Sequence, residues 1–307
     1  MKKYIIMGII LIGAVMLLPR AFNSVFGDAF PGKGVEELTL TLVESGEEIT
    51  MTAEEYVTGC LFAQIDVTYE IEALKAQAAA AYTYALRLMS DGNRLSDSTA
   101  LCQPCFTSEK AREYYGDSYD EYLPKVKEAA AYGVSHVLYY DNRPIYSVYH
   151  SVSAGVTARP EYIWGISLPY LARVDCPADR NYLHFDTRND ITPEDMRIKL
   201  LAYDGTLDMP LDYSLWFTEI NRDENGYVMS AQVGDKILSG GDLWRLLGLR
   251  STCFDISWNG MAFTVIAKGY GHGAGMSQYT ANVMAKNGCD AQEILEYFYV
   301  GATLKTV

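Results

Sequence analysis

A glycine-rich loop near the end of the chain carries the residues best placed for ligand chemistry. Residues 269–275 hold four glycines at alternate positions around His272, and Ser277 and Gln278 follow at the start of a predicted helix. Glycine has no Cβ, so the backbone of such a loop can approach a ligand closely. The amides at a helix N-terminus can hold a polar oxygen of that ligand. The alternative is that the glycines only form a tight strand-to-helix turn and that His272 bonds a backbone carbonyl.

A second cluster contains a histidine and two hydroxyl side chains. His150, Ser151 and Ser153 are close in sequence, an arrangement that resembles a serine nucleophile with its base. However, the chain lacks a Gly-x-Ser-x-Gly sequence, and nothing in the sequence pairs an Asp with His150. We therefore interpret the three residues as the lining of a ligand groove.

Two cysteines have a spacing that suits a metal. Cys102 and Cys105 flank two residues, as thiolate ligands of zinc often do. No histidine is nearby, so a four-ligand site needs remote partners such as His136 or Cys176. A local disulfide is the alternative in an oxidising compartment. We expect the function to require no cofactor, with zinc at these cysteines as a possible addition.

The charge balance excludes one class of partner. The chain of 307 residues has 25 basic and 39 acidic side chains, and its formal net charge is −14. Nucleic-acid binding relies on clustered Lys and Arg, which are absent, so we predict no nucleic-acid partner. The 24 tyrosines are unusual. Their rings suit partly polar surfaces such as sugars, and they suit protein interfaces equally.

The N-terminus predicts a membrane anchor. Lys2 and Lys3 precede an uninterrupted apolar run over residues 4–18. This length suits a signal-peptide core, and the next apolar residues extend it towards the roughly 20 residues of a spanning helix. No clean signal-peptidase site follows. We predict an uncleaved anchor over residues 1–20, with a cleaved signal as the alternative.

The predicted anchor sets the rest of the organisation. The two lysines hold the N-terminus in the cytoplasm and send the chain outward. Glycines and prolines over residues 21–36 indicate a linker. Residues 37–307 then form a single extracytoplasmic domain, and the protein is predicted to be a single-pass protein of the cell membrane.

The elements that position these residues alternate between helices and β-hairpins. Thr52 and Glu55 form a capping box that opens a helix, and a second helix with an apolar face covers about residues 71–90. The alanines at 78–81 of this second helix indicate close packing against a neighbour. Asn259-Gly260 predicts a two-residue hairpin turn. The polar stretch over residues 175–235 shows no regular period. With no repeated βαβ unit, the class is predicted as α+β.

Four segments together resemble the stage II sporulation protein D family. In chain order they are Tyr56-Val57-x-Gly59 with Glu72-Ala-Leu-Lys-Ala-Gln-Ala78 and Thr83-Tyr84-Ala85; His150-Ser-Val-Ser-Ala-Gly-Val-Thr157 with Ile163-Trp164-Gly165 and Pro169-Tyr170-Leu171; Leu238-Ser-Gly240 with Arg245 and Leu247-Gly-Leu-Arg-Ser251; and Gly269-Tyr-Gly-His-Gly-Ala-Gly-Met-Ser-Gln-Tyr279 with Ile294-Leu295-x-x-Phe298-Tyr299-x-Gly301. Their order and spacing over most of the chain make the resemblance specific.

The resemblance implies a lytic transglycosylase of peptidoglycan. Such an enzyme cuts glycan strands that have already lost their peptides, and it works beside a cell-wall amidase during engulfment in sporulation. One carboxylic acid protonates the glycosidic oxygen and then accepts the proton of the sugar's 6-hydroxyl as the anhydro ring closes. The substrate-binding residues expected from the motifs are His150, Ser151, Ser153, Arg245, His272, Ser277 and Gln278.

The sequence departs from the family at the expected acid. The family places a glutamate eight residues before the residue matched by Glu72, and that position is Gln64. A carboxamide neither donates a proton as an acid nor accepts one as a base at neutral pH. Either catalysis is lost and glycan binding is kept, or Asp66 transfers the proton, or a more distant acid such as Glu70 or Glu72 does.

Each of these acids also has a purely structural interpretation. Asp66 lies in a break between helices, where an Asp commonly caps or turns the chain. Glu72 lies in the first turn of a helix, where a carboxylate stabilises the dipole. A different alignment of the break would also change which residue matches the acid.

Overall fold

Helices and short strands interleave along the chain. The computed structural model describes residues 34–97 and 102–307. Over these residues the helices are α1 (Ala53–Gln64), α2 (Ile71–Ser90), α3 (Ser108–Tyr115), α4 (Tyr119–Val134), α5 (Pro160–Trp164), α6 (Pro193–Tyr203), α7 (Gly240–Leu247), α8 (Gln278–Lys286) and α9 (Ala291–Phe298). The strands are β1 (Glu37–Thr41), β2 (Glu48–Thr52), β3 (Leu95–Ser96), β4 (His136–Tyr140), β5 (Arg143–Pro144), β6 (Tyr149–His150), β7 (Asp186–Ile191), β8 (Phe217–Arg222), β9 (Val228–Val233), β10 (Lys236–Ser239), β11 (Phe254–Trp258), β12 (Phe263–Lys268), β13 (Met276–Ser277) and β14 (Thr303–Thr306).

The strands pair into several small sheets. Their orders are β2-β1-β3, β10-β9-β8, β11-β12-β7, β13-β6 and β14-β4-β5. Small sheets without a repeated βαβ unit confirm the α+β class. The predicted hairpin at Asn259-Gly260 is also confirmed, since β11 and β12 pair with Trp258 opposite Phe263. The parallel pairing of β6 with β13 matters for the site, because it sets Tyr149 beside Met276 and His150 beside Ser277.

Helix α2 forms the centre of the larger core. Its alanines at 78–81 are fully buried, which confirms the predicted close packing. A Cβ on Gly133 of α4 would lie 2.6 Å from the Cβ of Ala78, so the two helices meet at a point that only glycine allows. Helices α1, α8 and α9 also pack on α2. Such dense packing holds residues 65–70, the break between α1 and α2, in one position.

Helix α1 begins and ends as its sequence dictates. The Thr52 hydroxyl accepts the Glu55 amide hydrogen at 3.2 Å, and the Glu55 carboxylate accepts that of Thr52 at 2.8 Å. The predicted capping box is therefore present. The helix ends at Gln64, because the β-branched Ile65 adopts an extended backbone with φ −129° and ψ 151°. Gln64 is therefore the last residue of α1, directly before the break.

Residues 186–268 form a separate cluster of sheets, which we call the sheet unit. It contains β7 to β12 with α6 and α7, and its core holds Trp216, Phe263 and Leu243. The sequence showed no regular period in this stretch. Strand β7 explains why, since it is an edge strand of polar residues without a buried face. The remaining described residues, 34–97, 102–185 and 269–307, are called the body.

The predicted location in the membrane is corrected. The anchor over residues 1–20 lies outside the described residues, as does most of the linker. Within the described ranges no helix has the length and apolar character needed to cross a membrane. Helix α2 is long enough with 20 residues, but it carries Glu72, Lys75 and Arg87 and packs inside the body. The prediction of a single-pass membrane protein is therefore wrong for the chain as described.

Candidate functional site

The carboxamide of Gln64 is held at both ends. Its Nε2 donates to the Pro104 carbonyl at 2.7 Å, and its Oε1 accepts from the Tyr149 hydroxyl at 2.7 Å. Because Nε2 faces a carbonyl oxygen, the position requires a hydrogen on that atom. An ionised carboxylate would be repelled there, whereas a carboxamide or a protonated acid fits.

Tyr149 belongs to a wider polar cluster. Its hydroxyl also lies 2.7 Å from Oε1 of Gln103, whose Nε2 donates to Tyr56 Oη and to the Ala81 carbonyl, both at 2.9 Å. One hydroxyl proton thus serves two acceptors, on Gln64 and Gln103. Burial raises the pKa of Tyr149 well above its usual value, so the hydroxyl keeps its proton.

Gln278 ties the start of α8 to the end of α1. Its Nε2 donates to the Gln64 carbonyl at 2.9 Å and to Oε1 of Gln77 at 3.2 Å. The residue is buried, so it positions the break rather than facing solvent. The structure therefore brings Gln64 and Gln278, two predicted site residues distant in sequence, into direct contact.

Asp66 is an exposed turn residue. Its Oδ1 accepts from the amide of Thr68 at 3.0 Å and from the Thr68 hydroxyl at 2.7 Å, which is an Asx turn. The carboxylate is nevertheless open to solvent. Burial, followed by the neighbouring Tyr114 and then by Asp66, raises the pKa of Tyr115 to about 12.

Glu72 is engaged on both oxygens. Oε1 accepts from Lys75 Nζ at 2.9 Å, and Oε2 accepts from the amide of Ala291, the first residue of α9, at 3.0 Å. The side chain therefore joins α2 to α9 and stabilises the N-terminus of α9. Glu70 is exposed, and its amide donates to Asn282 Oδ1 at 2.9 Å.

Two neutral histidines lie side by side next to this break. The rings of His150 and His272 have centroids 5.8 Å apart, and Trp164 lies 5.0 Å from His272. Burial lowers the pKa of His150 to about 4. Burial, followed by the proximity of His150, lowers the pKa of His272 to about 3. Both imidazoles are therefore uncharged at neutral pH.

The hydrogen bonds of the two histidines define their tautomers. Nδ1 of His150 donates to the Ala274 carbonyl at 3.0 Å, which leaves Nε2 without a proton. That Nε2 is buried and has no partner among residues 34–97 and 102–307. In His272, Nδ1 accepts from the Ala274 amide at 3.2 Å. The loop glycines thus form a tight turn, as the alternative interpretation predicted, and also hold the two rings.

The glycine loop approaches the His150 segment too closely for any other residue. A Cβ on Gly271 would lie 2.8 Å from the Cβ of His150. A Cβ on Gly275 would overlap the Val148 carbonyl, and Gly275 has φ +72°. Both positions therefore require glycine.

A buried carboxylate that the sequence analysis missed fixes the serines. Asp179 is 0% exposed; Oδ2 accepts from the Ser153 amide at 2.6 Å, and Oδ1 accepts from Ser277 Oγ at 2.9 Å and Thr280 Oγ1 at 2.6 Å. Burial raises its pKa. Ser153 and Ser277 are also fully buried, so they hold the site together behind its surface rather than lining a groove. Ser151 is half-buried, and its carbonyl accepts the Tyr279 amide at 3.1 Å.

Tyrosines line the surface beside Asp66. Tyr182 and Tyr279 meet edge to face with centroids 5.3 Å apart. Burial raises the pKa of Tyr69, and the neighbouring Asp66, Tyr182 and Tyr279 raise it further. All three rings are half-buried and so present part of an aromatic surface next to the break. Rings of this kind suit the faces of sugars.

Comparison with known proteins identifies the chain's relatives. A family model described as Stage II sporulation protein matches residues 45–140. The chain is 34% identical to stage II sporulation protein D of Bacillus subtilis (strain 168) over 272 residues, which cover 86% of this chain and 77% of that protein. It is also 34% identical to stage II sporulation protein D of Bacillus amyloliquefaciens, over 82% of this chain and 73% of the other.

The chain belongs to the stage II sporulation protein D family. A more distant relative is the amidase enhancer of Bacillus subtilis (strain 168), with 25% identity over 78% of this chain and 39% of that longer protein. The predicted resemblance is thereby confirmed over most of the chain.

The zinc hypothesis for this family member does not fit the cysteines. Burial raises the pKa of Cys102, which opposes a thiolate, and Cys105 donates to the Tyr56 carbonyl at 3.5 Å. The remote candidates are occupied elsewhere: His136 bonds the Tyr132 carbonyl at 2.8 Å, and Cys176 donates to that of Val174 at 3.6 Å. In the part of the chain that the structure describes, no group of three or more His, Cys, Asp or Glu could hold a metal.

The functional contacts of the cysteine segment come from the residues between the cysteines. Gln103 and Pro104 meet Tyr149 and Gln64, while both cysteines are free thiols in the core behind them. Burial raises the pKa of Cys60, and its hydrogen bond with Cys105 raises it further. The Cys-x-x-Cys spacing therefore pointed to a segment that contacts Gln64 and Tyr149, but Gln103 and Pro104 make those contacts and the cysteines do not.

Arg245 is the predicted binding residue that lies apart. It is half-exposed on α7, and its Nη2 forms an ion pair with Asp242 Oδ1 at 2.6 Å. Its charge is thus already neutralised one turn away. The family motif contains a second arginine, Arg250, whose guanidinium lies over the ring of Tyr270.

Proposed function

We propose that this protein binds glycan strands of the bacterial cell wall during sporulation, through a domain formed by residues 37–307. Membership of the family and the likeness to an amidase enhancer support a sporulation role at the cell wall. The strands implied by the resemblance have lost their peptides to a cell-wall amidase, which is the proposed partner during engulfment. The tyrosine surface beside Asp66 supplies rings suited to sugar faces.

The hydrogen bonds of Gln64 carry the proposal. Lytic transglycosylase chemistry needs an acid that first donates a proton and then accepts one. At position 64 the chain has a carboxamide, fixed by Pro104 and Tyr149 in a place where neither step is available to it. Glu72 cannot replace it, because Lys75 and the Ala291 amide occupy both of its oxygens. We infer that the site binds strands without cleaving them through position 64.

Cleavage through Asp66 is the second candidate function. The observation in its favour is exposure: Asp66 is a carboxylate two residues beyond Gln64, and a strand can reach it. The opposing observation is the Asx turn, in which Thr68 donates twice to Oδ1. In that turn Thr68 occupies one of the two carboxylate oxygens and fixes the side chain as part of the backbone turn.

Incubation with peptide-free glycan strands distinguishes the two functions. Binding is measured by co-sedimentation, and anhydro-muramyl products are measured by mass spectrometry. We expect the wild type to bind strands and release no such product, and Gln64→Glu to release it. The new carboxyl group would face the Pro104 carbonyl and keep its proton, as a general acid must. Glu54→Gln, an exposed change at the opposite end of α1, serves as the control and is expected to behave as the wild type does.

Other outcomes have defined meanings. Product from the wild type that disappears in Asp66→Asn would establish the second function instead of the first. Failure of both the wild type and Gln64→Glu to bind strands would overturn the glycan assignment itself.

A further inference from the structure

Arg250 forms no ion pair with any residue of the described ranges. Its guanidinium lies over the ring of Tyr270, 4.1 Å from the centroid. Among residues 34–97 and 102–307, no group forms an ion pair or a side-chain hydrogen bond with it, and its Nε is buried with no acceptor. A buried donor without an acceptor is costly, so its persistence calls for an explanation.

Two other arginines of the sheet unit form ion pairs. Arg222 donates to Asp255 Oδ1 at 2.7 Å and to the Phe254 carbonyl at 3.1 Å. Arg245 pairs with Asp242. The chain carries 39 acidic side chains, so pairing partners are plentiful. Within the described part of the chain Arg250 has no acidic partner, and its charge is therefore available to an anion from outside.

The position of Arg250 links it to the candidate site. The Gly271 amide donates to the Arg250 carbonyl at 2.7 Å, and Gly271 in turn packs against His150. Tyr270 belongs to the same glycine loop as His272, and its ring is 46% exposed. A guanidinium is planar, and when it is held over a ring its N–H groups can meet both oxygens of a carboxylate.

We propose that Arg250, oriented by Tyr270, binds the carboxylate of the lactyl group on muramic acid residues of peptide-free strands. This inference rests on the proposed function. When the stem peptide is attached, that carbonyl is part of a neutral amide; when the peptide is removed by hydrolysis, it becomes a carboxylate. Arg250, next to the glycine loop, thus distinguishes stripped strands from strands that still carry peptides.

The test compares two forms of the same strand on the wild-type protein. One probe is peptide-free glycan strands; the other is the same strands with their lactyl carboxylates converted to neutral methylamides. We expect the wild type to bind the first probe at least about tenfold more tightly, as for other charge-assisted contacts. Equal affinity for the two probes would overturn the proposal without any variant having to fold.

Variants assign the effect to Arg250. Arg250→Gln is expected to lose about tenfold in affinity for the charged probe and to leave the methylamide probe unchanged, while Arg250→Lys loses less. Arg197→Gln on α6 makes the same charge change at an exposed position and is expected to affect neither probe. Equal weakening of both probes by Arg250→Gln would indicate a structural role and overturn the proposal. If the wild type bound neither probe, the proposed function would fail before this inference did.

Discussion

The body and the sheet unit bury different kinds of groups. The interior of the body contains Gln77, Gln103, His150 and Asp179, each within a hydrogen-bond network that crosses between distant segments. The sheet unit is instead held by stacked rings, such as Trp216 and Phe263, whose centroids lie 5.3 Å apart. Some of its charged groups form ion pairs at the surface, such as Arg222 with Asp255.

This difference indicates where function constrains the fold. Apolar packing is non-directional and tolerates many substitutions, whereas a buried polar network fails when one partner is lost. The body therefore accepts a cost in stability for a defined arrangement around Gln64 and the histidines. The sheet unit contributes Arg250 to that arrangement and otherwise serves as a support. Matched substitutions in the two regions test this interpretation.

The largest expected effect comes from a glycine in the body. Gly275→Ala is expected to destabilise the protein by about 4 kcal/mol or to prevent folding, because its Cβ would overlap the Val148 carbonyl and φ is +72°. Gly248 in the sheet unit has a similar φ of +67° with no atom within 4 Å of an added Cβ. Gly248→Ala is expected to cost only about 1 kcal/mol. Urea unfolding of both variants measures the comparison, and similar losses would contradict it.

The sequence predicted the features that depend on neighbouring residues. The capping box of α1, the packed alanines of α2 and the hairpin at Asn259-Gly260 are all local signals, and all are confirmed. The polar contacts around the site join residues far apart in the chain. Gln64 meets Pro104 and Tyr149 at separations of 40 and 85 residues, which no periodicity encodes.

The sequence does not show which charged side chains are paired in the fold. Arg245 and Arg250 look equivalent in sequence, but only the structure shows that Asp242 neutralises the first and leaves the second free. Asp179 lay in a polar stretch full of Asp and Asn and gave no signal of its own. Its importance comes from burial against Ser277, 98 residues away.

The second test makes the same chemical change in both regions. Asp179→Asn is expected to cost about 2–3 kcal/mol, because the amide nitrogen would meet the Ser153 amide or the hydroxyl donors and leave a buried donor unpaired. Asp255→Asn in the sheet unit breaks only the surface pair with Arg222 and is expected to cost less than about 1 kcal/mol. Thermal unfolding at one pH compares them. If Asp255→Asn cost as much as Asp179→Asn, the contrast between the regions would be lost.

The third and smallest effect is a pH dependence that arises from the body alone. The sheet unit contains no histidine, whereas His150 in the body has a folded-state pKa of about 4. The unfolded pKa is about 6.5, so the unfolded state binds the proton first as pH falls. The contribution of His150 is therefore fully present above that value, is lost as pH falls towards 4, and amounts to about 2 kcal/mol between pH 7 and pH 5.

A variant separates this effect from other titrations. In His150→Gln the free energy of unfolding should fall by about 2 kcal/mol less between pH 7 and pH 5 than in the wild type. His184→Gln, which removes an exposed histidine, should retain the wild-type slope. Equal slopes in all three proteins would mean that His150 is charged or solvated in the folded state. In that case the buried, unpartnered Nε2 of His150 would not describe the site, and the polar interior of the body would rest on Gln77, Gln103 and Asp179.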